Sequence, residues 1–398
     1  SIVSLLNDVS SEIIYPLLPV FLSLTLGASP FAIGAIEGAA ESAASLLKLA
    51  AGYLSDKFGK RKWAVFAGYG LSTITRPLLG LATGWTGVLF IRLADRVGKG
   101  IRTAPRDALV ADSVSPEKRG MAFGFHRAMD SVGAVIGPLI GFFLIRSFAN
   151  DPQHPTADEF AYVFLAASIP AVLTLVVISF FVKESQARKP QDKSREAISH
   201  GELNDKRQDT KEKFNPNFKR FLFILALFTL SNSSDAFLLL RAEQAGVAPV
   251  LIPLLWMALN LVKVLSSLVG GDLSDRIGRK SLIVAGWILY AAVYCGFAFV
   301  TTASGAWSLF LIYGIYFGLT EGVEKALVAD LVPAERRGTA FGWYHLAYGI
   351  AVFPASLMLG AIWNYYGFQA AFLLSAAISL AAALLLLTVR TKQAPQPI

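Results

Sequence analysis

Glu37 and Glu41 stand four residues apart inside an apolar run, residues 30–52. In a helix that spacing puts both carboxylates on one face. An ionisable side chain at such depth is costly, and it faces a cavity or a partner rather than lipid. Two carboxylates close together in a poorly solvated place tend to hold one proton between them. The chemistry this allows is a proton relay or recognition of a cation. A salt bridge to Lys48, or to an arginine of another apolar run, is the plainer alternative. Asp8 and Glu12 repeat the four-residue spacing, with Asp8 close enough to the run's end to be a terminal charge.

The run 86–110 carries Arg92, Asp95, Arg96, Lys99, Arg102, Arg106 and Asp107. Its cations follow helical spacing, so one stripe is cationic and must face protein or an aqueous cavity. Asp95 and Asp107 neutralise two of them, and Glu37, Glu41 or Asp130 can serve others. An arginine left over would bind a carboxylate or phosphate on a solute through its planar donors. Arg102 and Arg106 are the candidate anion contacts; a wholly structural charge network, or a part in a gate, are the alternatives. Arg127 and Asp130, three apart in the next run, can pair with each other or with the first run.

Further along, Asp235 and Glu321 join Glu37 and Glu41 as candidates for protonation. Trp256, Asn260, Lys263, Tyr344, His345 and Tyr348 join Arg102, Arg106, Arg127 and Asp130 as candidate cavity lining, ordinary packing being the alternative for the aromatics. The acids and bases differ between the two parts of the chain. Trp256 and Asn260 fall where a shift of 219 residues would place Glu37 and Glu41, and Glu324 and Lys325 invert the order of Arg106 and Asp107.

The elements that position these residues are long apolar segments. Hydrophobic residues make up 54% of 398 and charged residues 16%, against about 25% charge in soluble domains. Mean hydropathy is +0.53. Twelve segments are long enough to cross a hydrocarbon layer of roughly 30 Å as helices. Numbered as spans 1 to 12, they are 5–26, 30–52, 62–83, 86–110, 120–146, 160–183, 218–243, 248–270, 280–301, 305–329, 338–362 and 367–389. The polar segment 184–217 is a linker, rich in both charge signs. It leaves residues 1–183 and 218–398 as two six-span halves. The expected fold is an all-α polytopic membrane protein.

The net charge of +8 sits at the ends of apolar runs, which points to a membrane surface rather than to nucleic acid. Lys57, Lys60, Arg61, Lys62, Arg276, Arg279, Lys280, Arg336 and Arg337 gather on one side, so both termini and the linker are expected in the cytoplasm. The four histidines are dispersed and Cys295 is the single cysteine, so no metal site, disulfide or cofactor is expected.

Two polar connections recur. Gly52-Tyr-Leu-Ser-Asp56-Lys-Phe-Gly-Lys-Arg61 and Gly271-Asp-Leu-Ser-Asp275-Arg276-Ile-Gly-Arg279-Lys are 219 residues apart. Asp112-Ser-Val-Ser-Pro-Glu-Lys-Arg-Gly and Asp330-Leu-Val-Pro-Ala-Glu-Arg-Arg-Gly are 218 apart. Paired loops at nearly one offset indicate a duplicated six-span unit related by an axis along the membrane normal.

With these residues in place, the chain resembles the major facilitator superfamily over nearly its whole length. The resemblance implies twelve helices in two pseudo-symmetric halves and alternating access around a central cavity. It implies that Gly52, Asp56, Arg61 and Asp112, with Gly271, Asp275, Arg276, Arg279 and Asp330, form a gate on the cytoplasmic side. A cationic anchoring loop is the alternative. Gly133-x-x-x-Gly137-Pro138-x-x-Gly141 in span 5 resembles that family's antiporter motif; by itself it is a stripe for close helix packing. Arg96-Val-Gly98-Lys99-Gly100 resembles the span 4 pattern with a shifted register.

The expected function is proton-coupled export of a small organic or amphiphilic solute, by a monomer in the inner membrane. Proton-coupled uptake of a small anionic metabolite is the alternative, and a non-transporting receptor or scaffold a remote third. No nucleophile–base pair supports an enzyme, and a GxxxxGK[ST] phosphate loop is absent.

Overall fold

The computed structural model describes residues 1–58, 61–115, 119–182, 215–333 and 336–390. Within its helices, the side chains of 48–50, 52–58, 111–112, 119–121, 124, 275 and 337–339 lie outside the described ones. Span 1 comprises Ile2–Ile14, Leu18–Val20 and a π-helical turn, Phe21–Thr25. Spans 2 to 5 are Pro30–Phe58, Arg61–Leu79, Trp85–Asp112 and Arg119–Phe148. Span 6 is Ala157–Ala166 followed by Ser168–Phe181. Span 7 is Pro216–Ser231 followed by Ala236–Gln244. Spans 8 to 12 are Ile252–Ile277, Arg279–Phe299, Ala303–Leu331, Arg337–Tyr366 and Phe368–Leu386.

Three spans expected to be continuous are interrupted. Pro16 and Pro19 remove two backbone donors from span 1, and Pro170 does the same one turn after the break at Ala167 in span 6. Span 7 has no proline there. It opens at Asn232, Ser233 and Ser234, whose short polar side chains offer the backbone alternative partners; Ser234 Oγ accepts from Ala236 N at 3.2 Å.

Among the described residues, nine helical segments are long and apolar enough to cross a membrane by composition alone. Spans 2, 3 and 4 are the remaining three, and they carry most of the buried charge. Such helices are stable in lipid only when their polar face is turned into the protein. The outer surface is apolar, with Phe90, Phe180 and Leu268 all at least 70% exposed.

The contacts between spans recur. Span 1 packs on 5 and 6, 2 on 4, and 3 on 4 and 6. Span 7 packs on 11 and 12, 8 on 10, and 9 on 10 and 12. Spans 2 and 11, and spans 5 and 8, join the two sets. The span 2–11 seam is tight enough that a Cβ at Gly34 would sit 2.3 Å from the carbonyl oxygen of Ser356. Gly278, with φ 90°, ends span 8 and starts span 9. A side chain there would be strained, which explains the last glycine of the second repeated hairpin. The face at which spans 2 and 8 end and spans 3 and 9 begin carries Arg61, Lys62, Arg279 and Lys280, and is called the basic face below.

Candidate functional site: a charged central cavity

A cavity of about 590 Å³ lies between the two sets of helices, lined by spans 1–5, 7, 8, 10 and 11. Eight carboxylates and seven cationic side chains line it among the described residues. The opened stretch of span 7, Asn232 to Asp235, is part of the wall. Six of the cations come from spans 3 and 4, whereas spans 8, 10 and 11 contribute the larger apolar side chains, Trp256, Phe317, Tyr348 and Val352, beside Lys263, Glu321 and Ser356. The cavity is therefore suited to a polar solute with an apolar part.

Spans 2 and 4 run in the same direction, so a four-residue step on one matches a four-residue step on the other. Glu37 accepts from Arg92 Nε at 3.1 Å, and Arg92 Nη2 reaches both of its oxygens, at 2.8 and 3.0 Å. Both side chains are about 7% exposed. One turn on, Arg96 Nε lies 3.9 Å from Glu41. Each carboxylate thus faces its own arginine of span 4, the arrangement of the salt-bridge alternative. Asp95 adds a weaker contact to Arg92 at 3.9 Å.

Two other carboxylates have different surroundings. Glu12 accepts from the indole Nε1 of Trp256 at 2.7 Å, a contact from span 1 to span 8. Asp235 accepts from the Tyr313 hydroxyl at 2.8 Å. Both line the cavity, and both are held by neutral donors, with no ion pair among the described residues. Tyr15 stands between these groups, its ring centroid 5.0 Å from that of Trp256 and 5.9 Å from Arg92 Cζ. Asp8 accepts from Asn7 Nδ2 at 3.0 Å.

Glu321 is ion-paired, 3.0 Å from Lys263 and 3.8 Å from Arg127. The second contact joins span 10 to span 5. Arg106 bonds its neighbour Asp107 at 2.9 Å, and Arg102 donates to Ser72 at 2.7 Å. Asp130 lines the cavity 3.7 Å from His126.

Four expected lining residues are placed elsewhere. Arg127 is largely exposed and reaches Glu321 rather than Asp130. Asn260 donates to its own helix, at Trp256 O. Tyr344 is buried, donating at 3.1 Å to Glu324, which also accepts from Trp287 at 3.0 Å. His345, next in sequence, is exposed on another face of span 11. Tyr344 turns its hydroxyl to Glu324 and His345 lies on the exposed side of the same turn, so neither is part of the cavity wall. Tyr348 is the one that lines the cavity.

Of the expected gate residues, the side chains of Gly52, Asp56, Asp112 and Asp275 lie outside the described ones. Arg61 begins span 3 on the basic face, and Gly271 lies in the last turns of span 8. Arg279 pairs with Asp330 and donates to Ala326 O at 2.8 Å, tying span 9 to span 10. Arg276 pairs along its own helix with Asp272 at 2.9 Å, not with Asp330. Gly133, Gly137 and Gly141 lie against span 1, where a Cβ at Gly137 would meet Glu12 Cβ at 2.6 Å and Val9 O at 2.7 Å. Pro138 is inside span 5. The glycine stripe thus brings span 5 onto the part of span 1 that carries Asp8 and Glu12. Among the described residues, no three His, Cys, Asp or Glu side chains gather as metal ligands.

Arg76 is a charged lining residue that does not stand out in the charge pattern of the sequence. It is 4% exposed, within span 3, and donates to Asn7 Oδ1 at 2.7 Å. Its signal was a lone arginine deep in an apolar run, which is rarely accidental.

A sequence profile described as Major Facilitator Superfamily matches residues 1–356 and 221–398. An uncharacterized MFS-type transporter of Methanocaldococcus jannaschii is 35% identical, across 96% of this chain and 92% of that protein. The multi-drug resistance efflux pump PmrA of Streptococcus pneumoniae is 26% identical, across 92% of this chain and 89% of that one. Among solved structures, a D-xylose-proton symporter superposes with a TM-score of 0.76 at 18% identity, covering 98% of this chain and 95% of that one; at that identity the likeness concerns the fold.

Proposed function

The chain belongs to the major facilitator superfamily, a family of secondary transporters of small solutes and not of enzymes, and on that premise we propose that it exports a small polar organic solute in exchange for protons. It acts as a monomer in the cytoplasmic membrane, with residues 1–183 and 218–398 as the moving halves, 184–217 as the linker, and the basic face in the cytoplasm. The observation that carries the reading is the pair of cavity carboxylates, Glu12 and Asp235, held by neutral donors. A coupling carboxylate must be reachable from the cavity and must not be permanently neutralised by a cation. Glu12 and Asp235 meet both conditions, whereas Glu37, Glu41 and Glu321 face cations.

Glu12 also links the proton to the movement. As a carboxylate it accepts a charge-assisted bond from Trp256, and such bonds are roughly twice as strong as neutral ones. Protonation weakens the bond that holds span 8 to span 1, so loading a proton loosens one seam between the halves. The relative named as a multi-drug resistance efflux pump, at 26% identity, supports the outward direction.

The six cations on spans 3 and 4 favour a second reading, proton-coupled uptake of an anionic metabolite. Proteoliposomes with an imposed pH gradient separate the two, using a panel of anionic, neutral and cationic solutes. Export by exchange predicts solute accumulation when the lumen is acidic. Accumulation only when the outside is acidic supports uptake. No gradient-dependent accumulation of any solute would reject proton coupling.

A further inference from the structure

Of the seven cations in the cavity, four stand opposite a carboxylate: Arg92, Arg96, Arg106 and Lys263. Arg76 and Arg102 differ. Arg76 bonds the amide oxygen of Asn7, and its Nη1 is buried with no hydrogen-bond partner among the described residues. Arg102 bonds the Ser72 hydroxyl and lies 4.4 Å over the Tyr69 ring. Both arginines are at least 93% buried and both line the cavity. Neither has a carboxylate within ion-pair distance among the described residues.

Local structure brings the two together. Ser72 and Arg76 are one turn apart on span 3, so the group that holds Arg102 shares a face with Arg76. Spans 3 and 4 touch backbone to backbone, since a Cβ at Gly68 would meet Gly98 O at 2.6 Å. That approach carries Arg102 against Ser72. The nearby carboxylates Asp95, 3.9 Å from Arg92, and Asp8, which accepts from Asn7, make no ion pair or hydrogen bond with Arg76 or Arg102 among the described residues.

Two buried guanidiniums bonded to neutral oxygens are costly without a counter-charge. An unsatisfied donor at the edge of a polar cavity marks where a partner belongs. We propose that Arg76 and Arg102 form the subsite for the anionic head, carboxylate or phosphate, of the transported organic solute, whose apolar part lies against Trp256, Phe317 and Tyr348. Guanidinium groups match the two oxygens of such a head. The assignment rests on the transport reading, and it makes the exported solute an organic anion.

Calorimetric titration of the purified protein in an uncharged detergent tests this without any pH gradient. The probes share a body, phenyl or butyl, and differ in the head: carboxylate, phosphate, neutral amide or primary amine. Binding of the carboxylate or phosphate members at least tenfold tighter than the amide and amine is expected, and the comparison of those two arms identifies the head. Arg76→Gln and Arg102→Gln should each weaken that binding at least tenfold, with partial retention in Arg76→Lys and Arg102→Lys. Thermal unfolding of Arg76→Gln should stay within a few degrees of the parent or rise, because its partner Asn7 is neutral; a large loss assigns Arg76 a structural role and overturns the proposal. So does equal binding of the amide or amine, binding unchanged in both Gln variants, or no binding by any anion in the set. Anion binding without proton coupling would leave the subsite standing and remove the exchange reading; coupling driven by amines would do the reverse.

Discussion

The indole Nε1 of Trp256 donates to Glu12 Oε2 at 2.7 Å, joining span 8 to span 1 across 244 residues of sequence. Trp256→Phe keeps a ring beside Tyr15 but removes the donor. With one seam between the halves loosened, the variant should exchange solute faster in counterflow while its pH-driven accumulation falls several-fold. Equal rates in both assays would show that the bond has no part in coupling.

The Glu37–Arg92 pair has a different expected behaviour. Removing one partner of a buried ion pair leaves the other charge without a counter-ion, a loss of about 3–5 kcal/mol. Glu37→Gln should therefore lower the unfolding temperature in detergent markedly. The double replacement Glu37→Leu with Arg92→Met should recover most of that loss, since it leaves no orphaned charge. A double variant no better than the single one would contradict the pairing.

Gly137→Ala places a methyl group where Glu12 Cβ and Val9 O already stand within 2.7 Å. One of those positions is backbone, so the neighbour cannot rotate away. Separation of span 5 from span 1 should cost about 1–3 kcal/mol of stability and shift Glu12 away from Trp256. Gly70→Ala, whose Cβ meets nothing within 4 Å, is the control and should behave as the parent. Comparable unfolding temperatures for the two would refute the packing role.

Orientation is testable by cysteine labelling. In a background with Cys295→Ser, Gln153→Cys lies in the loop opposite the basic face and Lys280→Cys at the start of span 9. A membrane-impermeant maleimide should label position 153 in intact cells, and position 280 only after permeabilisation. The reverse pattern would invert the assigned sidedness.

The fold was legible because its two signals are local: apolar length marks each span, and the repeated Gly-x-Leu-Ser-Asp hairpins mark the duplication. The inward faces were legible for the same reason. Glu37, Glu41 and the span 4 stripe could not face lipid, and they face the cavity. Which charge meets which was not legible, because it depends on the rotation and height of one span against another. Glu37 opposite Arg92 follows from the parallel course of spans 2 and 4, and Trp256 opposite Glu12 from the packing of two halves. Glu37 and Glu41 each face an arginine, while Glu12, whose spacing from Asp8 repeats theirs, is held by an indole. Arg76 was not legible because it stands alone in its apolar run, with no charged neighbour at helical spacing. Helix interruptions were half legible: Pro16, Pro19 and Pro170 signal two of them, but span 7 opens on serines and an asparagine that an uninterrupted helix also tolerates.

The central claim is that Glu12 and Asp235 carry the coupled proton, and the direct measurement is solute-driven proton movement in proteoliposomes containing a trapped pH-sensitive dye. Glu12→Gln and Asp235→Asn keep acceptor oxygens for Trp256 and Tyr313 but cannot bind and release a proton at pH 5–8. The account predicts that the double variant still performs solute counterflow, while its solute-driven proton flux falls to the level of protein-free vesicles. Proton flux at the parent rate in that double variant would contradict it.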